Sequence, residues 1–248
     1  MAGLVAPPPL TASGWMRFDA IRRALRVVAP RSILEIGVGE GALAAWLARR
    51  YEYVGVEIDA RSRAVAAARV RAAGSGVVVA GIDTVHGRAF DLVCAFEVLE
   101  HIEDDVAALR EWRELLTPGG AMLLSVPAHP EMFGPVDARV GHFRRYDARG
   151  LDGALEHAGL SAVHVECYGA FLGHAIDRAQ NLLAARQAHA RDRSAGTATS
   201  GRYAQPANRI TALVRAGAAV PFRIAQLPFR DTEIGIGYVV LARAKADR

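Results

Sequence analysis

The sequence predicts an α/β protein in which a parallel sheet carries helices on both faces. Three observations predict it. Short apolar runs recur near 32–37, 53–58, 76–81, 90–96 and 120–126, each with the length of a buried strand. Between them lie stretches with helical make-up near 41–50, 60–73 and 104–116. A glycine-rich turn, Gly37-Val38-Gly39-Glu40-Gly41, leaves the first strand. Strands and helices that alternate in this way imply a parallel sheet covered on both sides. The 248 residues are enough for one such domain with a substantial core.

The chain is expected to open with a Pro-rich flexible tail over 1–13, followed by a single domain over 14–248. Trp15, Phe18, Ile21, Leu25 and Val28 recur at helical spacing, with Arg17, Arg22, Arg23 and Arg26 largely between them. That pattern is an amphipathic helix lying on the sheet, stopped by Pro30. Ile33, Leu34 and Ile36 form the first strand, interrupted by one carboxylate, Glu35. Ala42 to Arg50 then reads as helix, with basic residues in its last turn. The second strand, Tyr53 to Ile58, ends in a second acid, Glu57. Asp59 is a candidate N-cap for the helix that follows, and Gly74 its candidate C-cap.

Asp104 or Asp105 opens the next helix, whose apolar face is Val106, Leu109, Trp112 and Leu116. Thr117-Pro118-Gly119-Gly120 turns the chain into the fifth strand. Pro127 to Tyr146 reads as a long loop, rich enough in aromatic residues to be functional rather than disordered. Leu151 to Ala158 reads as a short helix, and 161–168 and 235–244 as strands. A cover and loop insertion is expected at about 170–230. Within it 171–184 reads as helix and 187–208 as a flexible polar loop. Residues 210–228 read as a helical cover over the mouth of the site. The alternative there is an interfacial helix touching a membrane, which Gly217 and Pro221 weaken.

Composition limits the function classes. No run of about 18 apolar residues occurs, so no transmembrane helix is expected. No basic region precedes the apolar residues of the N-terminus, so no signal peptide is expected either, and a cytoplasmic setting fits. Cys94 and Cys167 lie in apolar runs and read as core residues. The net charge of +4 comes from dispersed arginines without interleaved aromatics, so nucleic acid is not expected as a partner.

Strand, glycine loop and helix make a cradle for a nucleotide-type ligand, because glycine lets the backbone approach closely. Gly37-x-Gly39-x-x-Ala42 also fits a dinucleotide pattern, which leaves an NAD-dependent oxidoreductase as an alternative. The fourth strand, Phe90 to Phe96, runs into Glu97-Val98-Leu99-Glu100-His101-Ile102. Together, Glu35-x-Gly37-x-Gly39-x-Gly41, the acid Glu57 and this segment resemble the class I S-adenosylmethionine-dependent methyltransferases, in particular the small-molecule branch of ubiquinone-type enzymes. A dehydrogenase would keep the glycine loop without the Leu-Glu-His segment. DNA amino-methyltransferases carry Asn/Asp-Pro-Pro-aromatic at that place.

The resemblance implies a Rossmann-like seven-stranded, mostly parallel sheet whose last strand is antiparallel and lies beside the fifth. It implies S-adenosyl-L-methionine as cofactor and a small-molecule methyl acceptor, such as a specialised metabolite or a glycan or lipid precursor. It places Gly37 and Gly39 near the amino acid and ribose portion and Glu35 near the ammonium. Glu57 falls on the ribose hydroxyls and Ile58 on the adenine, with Phe96, Glu97 and His101 beside the cofactor. The family's acid after the third strand is displaced here by one position, in Ala80-Gly81-Ile82-Asp83, so Asp83 or the Ile82 backbone is the candidate adenine contact. That displacement keeps a non-catalytic S-adenosylmethionine-binding partner protein as a second alternative.

Glu100, Glu103, Asp104 and Asp105 read as acids favoured by a helix N-terminus, and no metal is expected. Gly141-His142-Phe143-Arg144-Arg145-Tyr146 resembles a segment of one branch of the family. His142, His129 and Tyr146 are the candidate catalytic residues, and Arg144 and Arg145 the candidates for holding a polar acceptor.

Overall fold

A computed structural model describes residues 10, 12–188, 217 and 220–245. Its centre is a seven-stranded sheet in the order β3-β2-β1-β4-β5-β7-β6. The strands are β1 Ser32–Ile36, β2 Glu52–Val56, β3 Val77–Val79, β4 Phe90–Phe96, β5 Leu116–Pro127, β6 Leu160–Tyr168 and β7 Gly237–Ala244. The pairs β1/β2, β1/β4, β2/β3 and β4/β5 are parallel. β7 runs antiparallel to both β5 and β6, from Ala121 opposite Arg243 to Pro127 opposite Gly237 on the β5 side.

The helices are α1 Ala12–Val28, α2 Ala44–Leu47, α3 Ala60–Ala73, α4 Asp105–Arg113, α5 Pro135–Val140, α6 Ala148–His157 and α7 Leu172–Ala188. Residues 220–225 form a further helical turn.

Alternation along the strands builds two cores. Ile33, Leu92, Cys94 and Leu123 point to one face, where they meet Met16, Ile21 and Leu25 of α1, Leu47 of α2 and Val70 of α3. Leu34, Val93, Ala95 and Leu124 point to the other, against Leu109 and Trp112 of α4 and Leu155 of α6. Successive side chains on a strand face opposite ways, so a continuous apolar run is what a sheet covered on both sides requires. Each fully buried leucine contributes roughly 1.5–3 kcal/mol. Both cysteines are buried and free, one in each core.

α1 is held by polar contacts as well as by packing. Arg23 pairs with the buried carboxylate of Glu166 on β6. Asp19 takes both Nε and Nη2 of Arg223 at 2.6 Å. Gln226 donates to the Met16 carbonyl at 3.0 Å and accepts from the Gly169 amide at 2.9 Å.

Several boundaries differ from the sequence reading. α2 is one turn where 41–50 was expected, because Gly41 is left-handed at φ +77° and delays its start. β5 begins at Leu116, opposite Phe90. The Thr117–Gly120 segment then bulges out before Ala121 resumes pairing with Leu92. The expected loop from 127 to 146 holds α5, with Pro135 at its first turn. α1 takes in residues 12 and 13 of the expected tail, and the rest of that tail lies outside the described residues apart from Leu10. α7 extends to Ala188, and the remainder of the expected polar loop, 189–208, lies outside the described residues. Of the expected cover over 210–228, only 217 and 220–228 are described. Among the described residues, no helix is long and apolar enough to cross a membrane.

Candidate active site

The carboxyl ends of β1, β2, β4, β5 and β6 share one edge of the sheet. The chain leaves β1 for β2 on one side, while β4 lies on the other, and such a switch in direction opens a crevice. Gly37, Gly39 and Gly41 follow β1, all left-handed at φ +72°, +57° and +77°. Their surroundings separate their roles. A Cβ on Gly37 would meet the Val98 side chain, and one on Gly41 would lie 2.8 Å from Ala66 Cα. A Cβ on Gly39 would meet nothing within 4 Å, so its face of the loop is open to a ligand.

Glu57 ties this loop to the end of β2. Its Oε2 accepts from the Gly39 amide at 2.7 Å and its Oε1 from the Asp59 amide at 2.9 Å. A carboxylate oxygen has two lone pairs, so each can still accept one hydroxyl. Ile58, next along, is an apolar side chain left 81% exposed at the rim. Beyond β3, Ile82 opens a 3₁₀ turn and packs partly into the core, while Asp83 is exposed. An open glycine loop, a paired acid with free lone pairs and a bare apolar rim residue fit an adenosyl ligand.

Glu35 lies beneath the loop, buried, and accepts from the Tyr53 hydroxyl at 2.6 Å. Burial pushes its carboxyl up to about 7, against the opposing pull of Tyr53 and Arg17. Phe96 ends β4, half-buried against the α1 side of the sheet. Glu97 follows, left-handed at φ +58°, a conformation costing about 1–3 kcal/mol that clusters at functional sites. Its Oε1 accepts from Arg17 at 2.8 Å, Ser125 Oγ at 3.0 Å and the Tyr168 hydroxyl at 3.1 Å. Burial raises this carboxyl, but Arg17 and the two hydroxyls outweigh burial and hold it below its ordinary value.

Glu100 is fully buried, and neither of its carboxylate oxygens has a hydrogen-bond partner. Burial, and then the charge on Glu97, push it well above the ordinary carboxylate range. His142 Nε2 stands 3.8 Å from Glu100 Oε1. Its Nδ1 is held at 2.7 Å by Asp137 Oδ1, and its ring meets that of His101 edge-on with centroids 4.6 Å apart. His101 Nδ1 lies 3.3 Å from the Gly141 carbonyl. Burial and the neighbouring His142 lower the His101 pKa, which keeps the ring neutral.

The fold therefore brings Glu35, Gly37, Gly39, Glu57, Glu97, His101 and His142 to one edge, and it engages four other candidates in contacts within the protein. His129 Nε2 is engaged by the Gly235 carbonyl at 2.9 Å and its Nδ1 by Glu131 at 3.0 Å, so both ring nitrogens are occupied. Tyr146 is a core residue whose hydroxyl donates to Asp105 at 2.8 Å. Arg144 braces the start of α4 through Asp105 at 2.7 Å and the Glu103 carbonyl. Arg145 is buried between Asp137 and Asp177, at 2.8 and 2.9 Å. The hydrogen bonds and ion pairs that these four make are all within the protein. Of the acidic run, Asp104 caps α4 by accepting from the Ala107 amide at 2.9 Å, as a helix-start acid should.

Arg17, Tyr53, Ser125, Asp137 and Tyr168 escaped the sequence reading. Arg17 left a signal. It shares the face of Ala20, Ile21 and Ala24, spaced at three, four and seven residues, so it is a charge on the buried stripe of α1. Asp137 reads locally as a helix-start acid, which it also is, accepting from the Gly134 amide at 2.9 Å.

Comparison with known proteins agrees with this geometry. The family described as "Methyltransferase domain" matches residues 16–165, more than half of the chain. An uncharacterized methyltransferase of Mycobacterium bovis is 35% identical over 120 residues, covering 47% of this chain and 61% of that protein. A ubiquinone biosynthesis O-methyltransferase of Cereibacter sphaeroides is 39% identical over 99 residues, covering 38% of this chain and 40% of that protein. The chain thus spans less than two thirds of the length of these curated relatives. The solved structure of an S-adenosylmethionine-dependent methyltransferase from Mesorhizobium loti covers 94% of this chain and 100% of its own, with TM-score 0.57 at 18% identity, a likeness of fold. The dehydrogenase alternative finds no support in these matches. The chain belongs to the methyltransferase domain family and is built on the fold of the class I S-adenosylmethionine-dependent methyltransferases.

Proposed function

We propose that this protein transfers a methyl group from S-adenosyl-L-methionine to a small-molecule acceptor. One observation carries the reading: the open Gly39 face, tied to Glu57, lies on the same sheet edge as the Glu97, Glu100, His101 and His142 cluster. Gly37, Gly39, Glu35, Glu57 and Ile58 would hold the cofactor, with Ile82, Asp83, Phe96, Glu97 and His101 around it. The cofactor supplies an electrophilic methyl on a sulfonium sulfur. The protein's own part is mainly alignment, which can account for much of the rate.

The acceptor would lie beyond β4 and β5, where His142 presents Nε2 while Asp137 fixes the ring through Nδ1. That histidine is the residue placed to receive an acceptor's proton. The ubiquinone O-methyltransferase relative favours an acceptor hydroxyl. The membrane-touching alternative for 210–228 would rest on Val220, Phe222, Ile224 and Leu227, which are exposed.

The test is a screen of small hydroxyl and amino compounds, read as release of S-adenosylhomocysteine, with calorimetric titration of S-adenosylmethionine and of NAD in parallel. Binding of S-adenosylmethionine with turnover of at least one acceptor is expected. Binding without turnover of any acceptor would point to the non-catalytic partner protein. Binding of NAD alone would sink the reading.

A further inference from the structure

Glu100 has no satisfactory state in the protein by itself. Its side chain is fully buried and both oxygens lack a hydrogen-bond partner. An ionised carboxylate there would have no hydrogen bond and only the charge of Arg17 to oppose the cost of burial, and a protonated one would leave its O–H without an acceptor. Either leaves the desolvation of a buried polar group unmet. A buried group of this kind, aimed at two imidazoles, calls for a cation.

We propose that Glu100, His101 and His142 form a binding site for one divalent first-row metal cation at the inner wall of the acceptor pocket. Each residue offers one ligating atom, and the three atoms lie within 4.8 Å of one another. The His142 Nε2 to Glu100 Oε1 distance is 3.8 Å. Ligand atoms bound to one such ion at about 2.0–2.2 Å stand about 3–3.5 Å apart at tetrahedral or right angles. Side-chain rotations that draw the three atoms together from within 4.8 Å would close that gap.

Three further features match a metal site. Asp137 accepts from His142 Nδ1 at 2.7 Å, which leaves Nε2 as the ligating nitrogen, the carboxylate–histidine arrangement that orients a metal ligand. Asp137 is itself fixed by Arg145, so this support is rigid. The Gly141 carbonyl lies 3.3 Å from His101 Nδ1 and in the same way leaves Nε2 for the ion. Two imidazoles and one carboxylate, with both cysteines buried in the cores, suit Zn²⁺, Co²⁺ or Mn²⁺ over a soft ion.

Three protein ligands leave at least one coordination position for a further ligand. This consequence rests on the methyl-transfer reading: an acceptor hydroxyl at an open position would become more acidic, as metal-bound water does. Its oxygen keeps the O–H electron pair, and the proton passes to solvent water. His142 then serves as ligand, and the ion supplies the acidity.

The test uses the full chain, stripped with a chelator and titrated with Zn²⁺ alone by calorimetry and with Co²⁺ alone by visible absorption. One ion per chain is expected, with ligand-field bands for Co²⁺. Glu100→Gln and His142→Ala should each weaken binding at least tenfold, while His86→Ala, an exposed histidine, should bind as the parent does. Zn²⁺ should raise the melting temperature of the parent and not that of Glu100→Gln. Glu100→Gln keeps the side-chain shape, and its own melting curve reports whether it folds. Parent binding no tighter than that of folded Glu100→Gln overturns the site. Titration with S-adenosylmethionine is a separate arm. A chain that binds the cofactor and no ion refutes the metal site alone, and one that binds the ion and no cofactor refutes the methyl-transfer reading alone.

Discussion

Asp137 Oδ1 lies 2.7 Å from His142 Nδ1, and the same carboxylate takes both Nε and Nη2 of the buried Arg145 guanidinium. One acid therefore fixes the His142 ring and neutralises a cation that has little access to water. Burial raises this carboxyl, but His142, Arg145 and the Gly134 amide prevail and hold it at about 2. A depressed acid contributes stability that is present above its unfolded value and is lost as pH falls through its folded value. Asp137 should therefore stabilise the fold fully above pH about 4 and lose that contribution between about 4 and about 2. Asp137→Asn should cost about 3 kcal/mol at neutral pH, as expected when one partner of a buried pair is removed. Urea unfolding across that pH range measures both. A variant as stable as the parent at neutral pH would refute the assignment.

His142→Ala should lower turnover of the acceptor found by the screen at least tenfold, about 1.4 kcal/mol of barrier, with cofactor affinity nearly unchanged. His129→Ala should act mainly on stability, because the His129 ring joins Glu131 to the Gly235 carbonyl. Steady-state kinetics beside thermal melts separate the two. A larger loss of turnover in folded His129→Ala than in His142→Ala would reverse the roles.

Gly39 and Gly41 should respond differently to a side chain. Gly41→Ala places Cβ 2.8 Å from the α3 backbone at φ +77°, so it should lower the melting temperature, with strain of about 1–3 kcal/mol. Gly39→Val adds its bulk to open space and, at φ +57°, carries backbone strain as well, so in the folded variant affinity for S-adenosylmethionine should fall at least tenfold. Titration at a temperature where both variants are folded shows the contrast. Unchanged affinity in Gly39→Val would remove the glycine loop from the cofactor site.

Glu35 gives the cofactor affinity a pH dependence. Its carboxyl is pushed up from 4.5 to about 7 by burial, so the native state holds this proton longer than the unfolded chain does. Its own contribution to stability should therefore fall as pH rises from 4.5 to about 7. An ammonium bound beside it favours the ionised form, so affinity for S-adenosylmethionine should rise with pH over the same interval. Glu35→Gln should bind more weakly, with a flat profile. Calorimetry from pH about 5.5 to about 7.5 checks the sign. A profile in Glu35→Gln identical to the parent's would place the ammonium elsewhere.

Tyr146→Phe should cost about 1 kcal/mol of stability, the usual net contribution of one buried hydrogen bond, and leave turnover within about twofold. Its hydroxyl serves Asp105 at the start of α4. A tenfold loss of turnover in the folded variant would return Tyr146 to the catalytic candidates.

The sequence by itself determined the order of strands and helices and the glycine loop, and it named the candidates for the cofactor side. These are local or periodic features. Ile33, Leu34 and Ile36 declare a strand buried on both faces, Gly37 to Gly41 declare a turn, and Asp59 declares a cap that it indeed forms with Ser62. The surroundings of His142 were decided only by tertiary structure. Arg17 meets Glu97 across 80 positions of chain, and His142 meets Glu100 across 42, and neither spacing leaves a periodic trace. Within Gly141 to Tyr146 the residue types look equally suited to chemistry. The fold turns Arg144, Arg145 and Tyr146 into supports, by pairing Arg144 and Tyr146 with Asp105 and Arg145 with Asp137 and Asp177, and leaves His142 with its Nε2 toward Glu100. The reason is physical: a polar side chain does the chemistry its burial and partners leave open to it, and those are set by which elements pack together.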